Sequence, residues 1–154
     1  MSTVAKIQTQ YGAIANELQH RGIHEPSIAD VSAVVADIRV SKLPDPSTIG
    51  NAGSFFKNPV IDATAFAALL KKFPEIVHYP APENKVKLAA GWLIEACGFK
   101  GKVVGETGTW KNQALVLVNH GAATGQEVYD FSEEIINAVA AKFGLSLSRE
   151  VNVF

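Results

Sequence analysis

Ile28, Val31, Val34, Val35, Ile38 and Val40 recur at helical spacing and predict a helix that opens at Ser27. Asp30 stands three residues after Ser27, a variant of the capping box. Phe66, Leu69, Leu70 and Phe73 predict a second helix behind Asp62, and Lys71 and Lys72 near its end suit the C-terminal dipole. Val128, Phe131, Ile135, Ile136, Val139 and Phe143 predict a long third helix, opened by Thr124 with Glu127 and stopped by Gly144. Residues 89–97 form a short apolar helix stopped by Gly98, and residues 12–19 a short helix or irregular turn.

Strand signals are shorter. Residues 4–11 alternate apolar and polar positions. Residues 102–105 and 114–118 read as two strands joined by residues 105–112. The second is apolar throughout, which predicts a central strand covered on both faces. In residues 145–153, Leu145, Leu147, Val151 and Val153 are expected to face inward, and Ser146, Ser148, Glu150 and Asn152 outward. Pro44 and Pro46 end the first helix and open a linker through Ile49. Pro74, Pro80 and Pro82 mark a long connection through His78 and Tyr79. Helices and strands intermingle without regular βαβ alternation. That order predicts an α+β fold, a small mixed sheet packed with helices.

Residues 49–61 combine small residues with a polar and aromatic alternation. Gly50, Ala52 and Gly53 let the backbone turn sharply and approach a ligand closely. Ser54, Phe56 and Asn58 would share one face of the extended segment that follows, with Phe55 and Lys57 on the other. Two readings are open on spacing alone: a site with a hydroxyl and an amide aimed the same way, or a strand that follows a loop.

Composition narrows the chemistry. The 154 residues are 47% hydrophobic and 19% charged, enough apolar content for a buried core in one domain with a flanking element. A formal net charge of -1 and scattered basic residues argue against nucleic acid or acidic lipid as partners. Apolar runs such as residues 65–70 and 114–118 are too short to span a bilayer. No signal peptide is visible and Cys97 has no disulfide partner, so a cytoplasmic chain is expected. His20 and His24 have metal-ligand spacing, but Gly22 interrupts them and no paired acid or cysteine follows, so no metal site is expected. No histidine lies near Ser54 in sequence to activate it as a nucleophile. A serine hydroxyl can instead give a proton to a strongly basic carbanion. Glu150, on the polar side of its segment, reads by pattern as a solvated carboxylate.

Lys42-Leu-Pro-Asp-Pro and the run from Gly50 to Pro59, Gly-Asn-Ala-Gly-Ser-Phe-Phe-Lys-Asn-Pro, strongly resemble the UDP-N-acetylenolpyruvoylglucosamine reductase (MurB) family of peptidoglycan synthesis. So do Lys87-Leu-Ala-Ala-Gly-Trp-Leu-Ile94, Gln113-Ala-Leu-Val-Leu-Val-Asn119 and Arg149-Glu-Val-Asn-Val-Phe154. The blocks keep the family's order across nearly the whole chain. The resemblance implies an oxidoreductase in which NADPH reduces FAD and a hydride passes to the enolpyruvyl double bond of UDP-N-acetylglucosamine enolpyruvate. It implies that Ser54 protonates the enol intermediate and that Glu150 stabilises or protonates it. Lys42, Asn58, Tyr79 and Gln113 would contact the substrate, and Asn51, Ala52 and Gly53 would approach the flavin edge.

Members of that family are longer, with an N-terminal portion that binds FAD. The resemblance therefore implies a C-terminal part: residues 1–43 as the tail of the FAD-binding middle domain, a strand and a helix, and residues 44–154 as the UDP-sugar domain. Such a chain is expected to be inactive alone. The alternative is a stand-alone nucleotide-sugar-binding module without redox activity. A bacterial, cytoplasmic setting goes with either.

Overall fold

A computed structural model describes residues 7–10 and 13–153. The expected strand over residues 4–11 lies mostly outside them, and residues 7–10 are not in a strand. The described chain divides into two compact units, one ending at Leu43 and the other beginning at Pro44.

The first unit is a helical pair. Helix α1 spans Ile14–His20 and helix α2 spans Ile28–Lys42. The α2 start follows its sequence signal: the Asp30 N–H donates to the Ser27 side chain, and the Asp30 carboxylate accepts from the Ser27 N–H at 2.8 Å. Val34 packs with Ile14 and Leu18, and Val31, Val35 and Ile38 lean on that cluster. Ile28 and Val40 stay exposed, so the apolar positions form a narrower stripe than their spacing predicts. Arg21 ties the helices at their surface, bonding Glu17 at 2.8 Å and Asp37 at 2.9 Å.

The second unit is α+β. A four-stranded sheet holds β1 (Gly50–Ser54), β7 (Gln113–Asn119), β6 (Thr107–Trp110) and β5 (Val103–Val104), in that spatial order. A three-stranded sheet holds β2 (Val60–Asp62), β4 (Lys85–Leu88) and β3 (His78–Ala81). All the pairings are antiparallel. The apolar strand β7 is indeed central, between β1 and β6. Helices α3 (Ala63–Lys72), α4 (Ala90–Ala96) and α5 (Gly125–Phe143) complete the unit.

Strands β3 and β6 fall where the sequence suggests connections, and β2 carries no strand signal of its own. Each is three or four residues long and held by partners far along the chain, so no local period announces it. Pro80 sits in β3, an edge strand, where a missing N–H costs no ladder bond. Strand β6 needs Gly108, because a Cβ there would stand 2.4 Å from the Lys102 carbonyl oxygen.

The core of this unit joins Phe55, Phe56, Leu88, Leu93 and Ile94 to the inner face of α5. Along α5, Phe131, Ile135, Val139 and Phe143 are buried at four-residue spacing. The Thr124–Glu127 capping box forms as its sequence predicts, and hydrogen bonds from Thr124 hold the Glu127 carboxyl below its ordinary value. The closing strand expected over residues 145–153 reduces to a single bridge, Phe56 with Arg149. Leu147 is buried as expected, but Val153 is 54% exposed.

Candidate active site

The small residues at 50–53 form a bulged strand rather than a free turn. Gly50 pairs with Asn119 and Asn51 with Val118, but Ser54 pairs with Val116, so β1 carries one residue more than β7 between those pairs. Gly53 takes up the extra residue at φ +71°, a left-handed conformation natural to glycine. The Asn51 side chain braces the bulge: its Oδ1 accepts from the Gly53 N–H at 3.1 Å and its Nδ2 donates to the Ile49 carbonyl at 3.2 Å. A Cβ at Gly53 would meet nothing within 4 Å, so Gly53→Ala tests the backbone alone. We expect it to lower stability by about 1–2 kcal/mol, read from the urea midpoint of the chain. An unchanged midpoint would mean the bulge relaxes without glycine.

Ser54 leaves the bulge at the exposed end of β1. The residues beyond it do not alternate as expected. Phe55 and Phe56 are both buried, with ring centroids 5.3 Å apart in an edge-to-face contact. The backbone therefore departs from a flat strand between Ser54 and Asn58, and both rings enter the core while Ser54 and Asn58 stay exposed. Two partners share this segment. The Phe55 N–H donates to the Leu115 carbonyl of β7 at 2.9 Å. The Phe55 carbonyl accepts from the Glu150 N–H at 2.9 Å, and the Lys57 N–H donates to the Ser148 carbonyl at 2.8 Å. The tail of the chain is thereby laid antiparallel beside residues 55–57. Glu150 is bonded to Phe55, the residue that follows Ser54, although Ser54 and Glu150 are 96 positions apart in sequence.

Asn58 and Gln113 meet around the first turn of α4. The Ala89 cap position has no side-chain hydrogen bond, and the Asn58 Oδ1 accepts from the Ala90 N–H at 2.8 Å in its place. The Gln113 Oε1 accepts from the Leu115 N–H at 3.4 Å and would lie 3.0 Å from a Cβ at Gly91. Tyr79 stands on the three-stranded sheet, 48% exposed. Lys87 lies between Val60 and Tyr79 in one cross-strand row, its Nζ 5.9 Å from the Tyr79 ring centroid. That puts a cation and an aromatic ring side by side in the same row. Lys42 is the last residue of α2, exposed, in the first unit.

A concavity of about 290 Å³ opens along β1 and β7, lined by Gly50, Asn51, Ala52, Phe55 and residues of β7, with Val128 of α5 at its wall. It is mostly apolar, and its volume lies at the lower edge of the roughly 300–1,000 Å³ of pockets that enclose a drug-sized ligand.

Arg149 was not among the residues singled out in the sequence. It occupies an inward, odd-numbered position of the closing segment, which is the signal that marks it. Its Nε donates to the Ser132 Oγ at 2.8 Å and its Nη2 to the Glu133 Oε1 at 2.6 Å. Its guanidinium carbon stands 4.1 Å from the Tyr129 ring centroid. The Arg149 hydrogen bond holds the Glu133 carboxyl below its ordinary value, with a smaller contribution from Tyr129. Among the described residues no group of three or more His, Cys, Asp or Glu side chains could hold a metal ion, and no helix is long and apolar enough to cross a membrane.

Residues 45–154 match the family described as the UDP-N-acetylenolpyruvoylglucosamine reductase C-terminal domain. The chain is 53% identical over 148 residues to a UDP-N-acetylenolpyruvoylglucosamine reductase of Flavobacterium johnsoniae, covering 96% of this chain and 44% of the relative. It is 51% identical over 150 residues to the reductase of Chromobacterium violaceum, covering 97% of this chain and 44% of that protein. Against the reductase of Pseudomonas aeruginosa the identity is 47% over 149 residues, again 97% of this chain and 44% of the relative. The chain thus spans less than half the length of these relatives.

Proposed function

Since this chain belongs to the family of UDP-N-acetylenolpyruvoylglucosamine reductase C-terminal domains, we propose that it is the substrate-binding and proton-donating part of a flavin-dependent reductase of peptidoglycan synthesis. The complete enzyme would convert UDP-N-acetylglucosamine enolpyruvate to UDP-N-acetylmuramate in the bacterial cytoplasm. An N-terminal portion that this chain does not contain would carry the FAD. The observation that carries the reading is the antiparallel pairing of residues 148–150 with residues 55–57, which puts Glu150 next to the Ser54 strand end.

FAD reduced by NADPH supplies a hydride to the enolpyruvyl double bond when it is bound. The residues of this chain fit the approach of that cofactor at one edge. Asn51, Ala52 and Gly53 form a small-residue bulge beside an apolar concavity, with open space where a Gly53 Cβ would be. Hydride addition leaves the neighbouring carbon as a strongly basic enolate-like centre. The Ser54 Oγ–H gives its proton to that carbon. The hydroxyl has no hydrogen-bond partner among the described residues, so no internal bond has to break first. A weak acid suffices for so basic a carbon, and an exposed alkoxide recovers its proton from water. Glu150 stabilises or protonates the enol. Asn58 and Gln113 hold the polar parts of the UDP-sugar near the first turn of α4. Tyr79 offers an aromatic face, with the Lys87 cation beside it for the diphosphate.

Two measurements on the purified chain test this reading. The chain is expected to be colourless, since it lines only one edge of the flavin, and to stay so after incubation with FAD and desalting. NMR titration with UDP-N-acetylglucosamine enolpyruvate is expected to shift the amide signals of Asn58, Tyr79, Leu115 and Ala90. A stoichiometric yellow flavin would contradict the division of labour between the two parts. Saturating substrate that moves none of those signals would remove the substrate-binding assignment.

A further inference from the structure

We propose that Arg149 is the positioning residue for Glu150, setting the carboxylate beside the Ser54 strand end. This rests on the reading of Glu150 as a catalytic group. Glu150 has no ion pair or side-chain hydrogen bond of its own among the described residues, so its place depends on the backbone that carries it. That backbone is held from two sides at the preceding residue. On one side, Arg149 bridges to Phe56, flanked by the Lys57–Ser148 and Glu150–Phe55 hydrogen bonds. On the other, the Arg149 side chain, 18% exposed, is gripped by one turn of α5.

The grip uses two nitrogens of the guanidinium and its contact with an aromatic ring. Tyr129, Ser132 and Glu133 stand at i, i+3 and i+4 and present a ring, a hydroxyl and a carboxylate to one point. Ser132 is fully buried and its own hydroxyl donates to the Tyr129 carbonyl at 2.5 Å, so its oxygen is already oriented to accept from Arg149. A planar fork that also stacks on a ring fixes direction as well as distance; a lysine ammonium does neither. Helix α5 is anchored in the core by Phe131 and Ile135, on the turns that carry this grip. The Arg149 side chain thereby adds the rigidity of α5 to the hold that the backbone pairing with residues 55–57 already gives. A displacement of about 1 Å in a reacting group is enough for about a 100-fold loss of rate.

The test uses a full-length reductase in which this chain replaces the matching part of the Flavobacterium johnsoniae relative. Stopped-flow absorbance separates flavin reduction by NADPH from flavin reoxidation by the enolpyruvyl substrate. Arg149→Met is expected to slow reoxidation at saturating substrate by about 10- to 100-fold. The NADPH step is expected to hold its rate and KM for the UDP-sugar to move only a few-fold. Arg149→Lys is expected to recover little of the loss, and Glu133→Gln to give a smaller slowing of the same step. Acting through Glu150, Arg149→Met should add nothing to Glu150→Gln, so the double variant should reoxidise at the rate of Glu150→Gln alone. Multiplying effects in the double variant, or Arg149→Met at the starting rate, would overturn the proposal while leaving Glu150 in its role. Glu150→Gln at the starting rate would instead remove Glu150 itself, and this inference with it. Where Arg149→Met does not fold, Arg149→Lys and Glu133→Gln, each alone and combined with Glu150→Gln, decide the question by the same comparison.

Discussion

Ser54→Ala, in a full-length reductase carrying this chain, is expected to slow substrate turnover by roughly 10²- to 10⁴-fold, the usual contribution of a positioned acid. Flavin reduction by NADPH should proceed at its starting rate, because the hydroxyl has no part in that step. The split follows from what a serine can and cannot do at this place. Among the described residues no side chain supplies Ser54 with a base, so it is a poor nucleophile. As an acid it is weak, but the carbon it would protonate is strongly basic, so a hydroxyl held against that carbon can give up its proton. Removing the hydroxyl leaves water as the acid, without a fixed position. Stopped-flow traces and product analysis read both steps separately. Turnover within a few-fold of the starting rate would take Ser54 out of the mechanism, and equal losses in both half-reactions would point to a distorted flavin site instead.

Phe56→Ala is expected to lower the stability of the chain by about 3–5 kcal/mol, the range for emptying a buried aromatic site. Small domains have only about 5–15 kcal/mol in total, so a large share of the molecules would be near their unfolding threshold. Phe56 is fully buried, packs edge-to-face on Phe55 and belongs to the main core cluster. Its backbone is also the strand position opposite Arg149. Loss of the ring should therefore loosen both sides of the site together. The urea midpoint measures the first effect, and amide hydrogen exchange at Lys57 and Glu150, whose N–H groups bond the paired segment, measures the second. Phe56→Leu, which refills most of the volume, should recover most of both. A cost near that of an exposed substitution would mean that residues 54–57 are held by β7 alone.

The parts of this protein legible in the sequence are those whose physics is local. A helix places residues three and four apart on one face, so the periodicity and capping boxes of α2 and α5 could be read directly, and both boxes form. The family resemblance was legible for a similar reason, as short unbroken runs of residues. The bulge, by contrast, exists only because β7 fixes the register of β1 on both sides of it. Strands β2, β3 and β6 are three or four residues long and have no period of their own. The inward aim of both Phe55 and Phe56 breaks strand alternation, and only the core they enter explains it. Arg149 fell on the inward side of an alternating segment, where a charge looks out of place until Ser132, Glu133 and Tyr129 of α5 are seen to receive it.

Residues 50–59 were marked by the sequence as small, polar and aromatic in an uncommon order, and their composition pointed to a site. What the sequence by itself determined was the family, the α+β class and the chemical groups available. Tertiary structure decided which of those groups meet. Ser54 and Glu150 lie 96 residues apart along the chain, and no local rule relates them. Two backbone hydrogen bonds lay the segment that carries Glu150 beside residues 55–57, because bonds between distant segments are satisfied only once the core between them has closed.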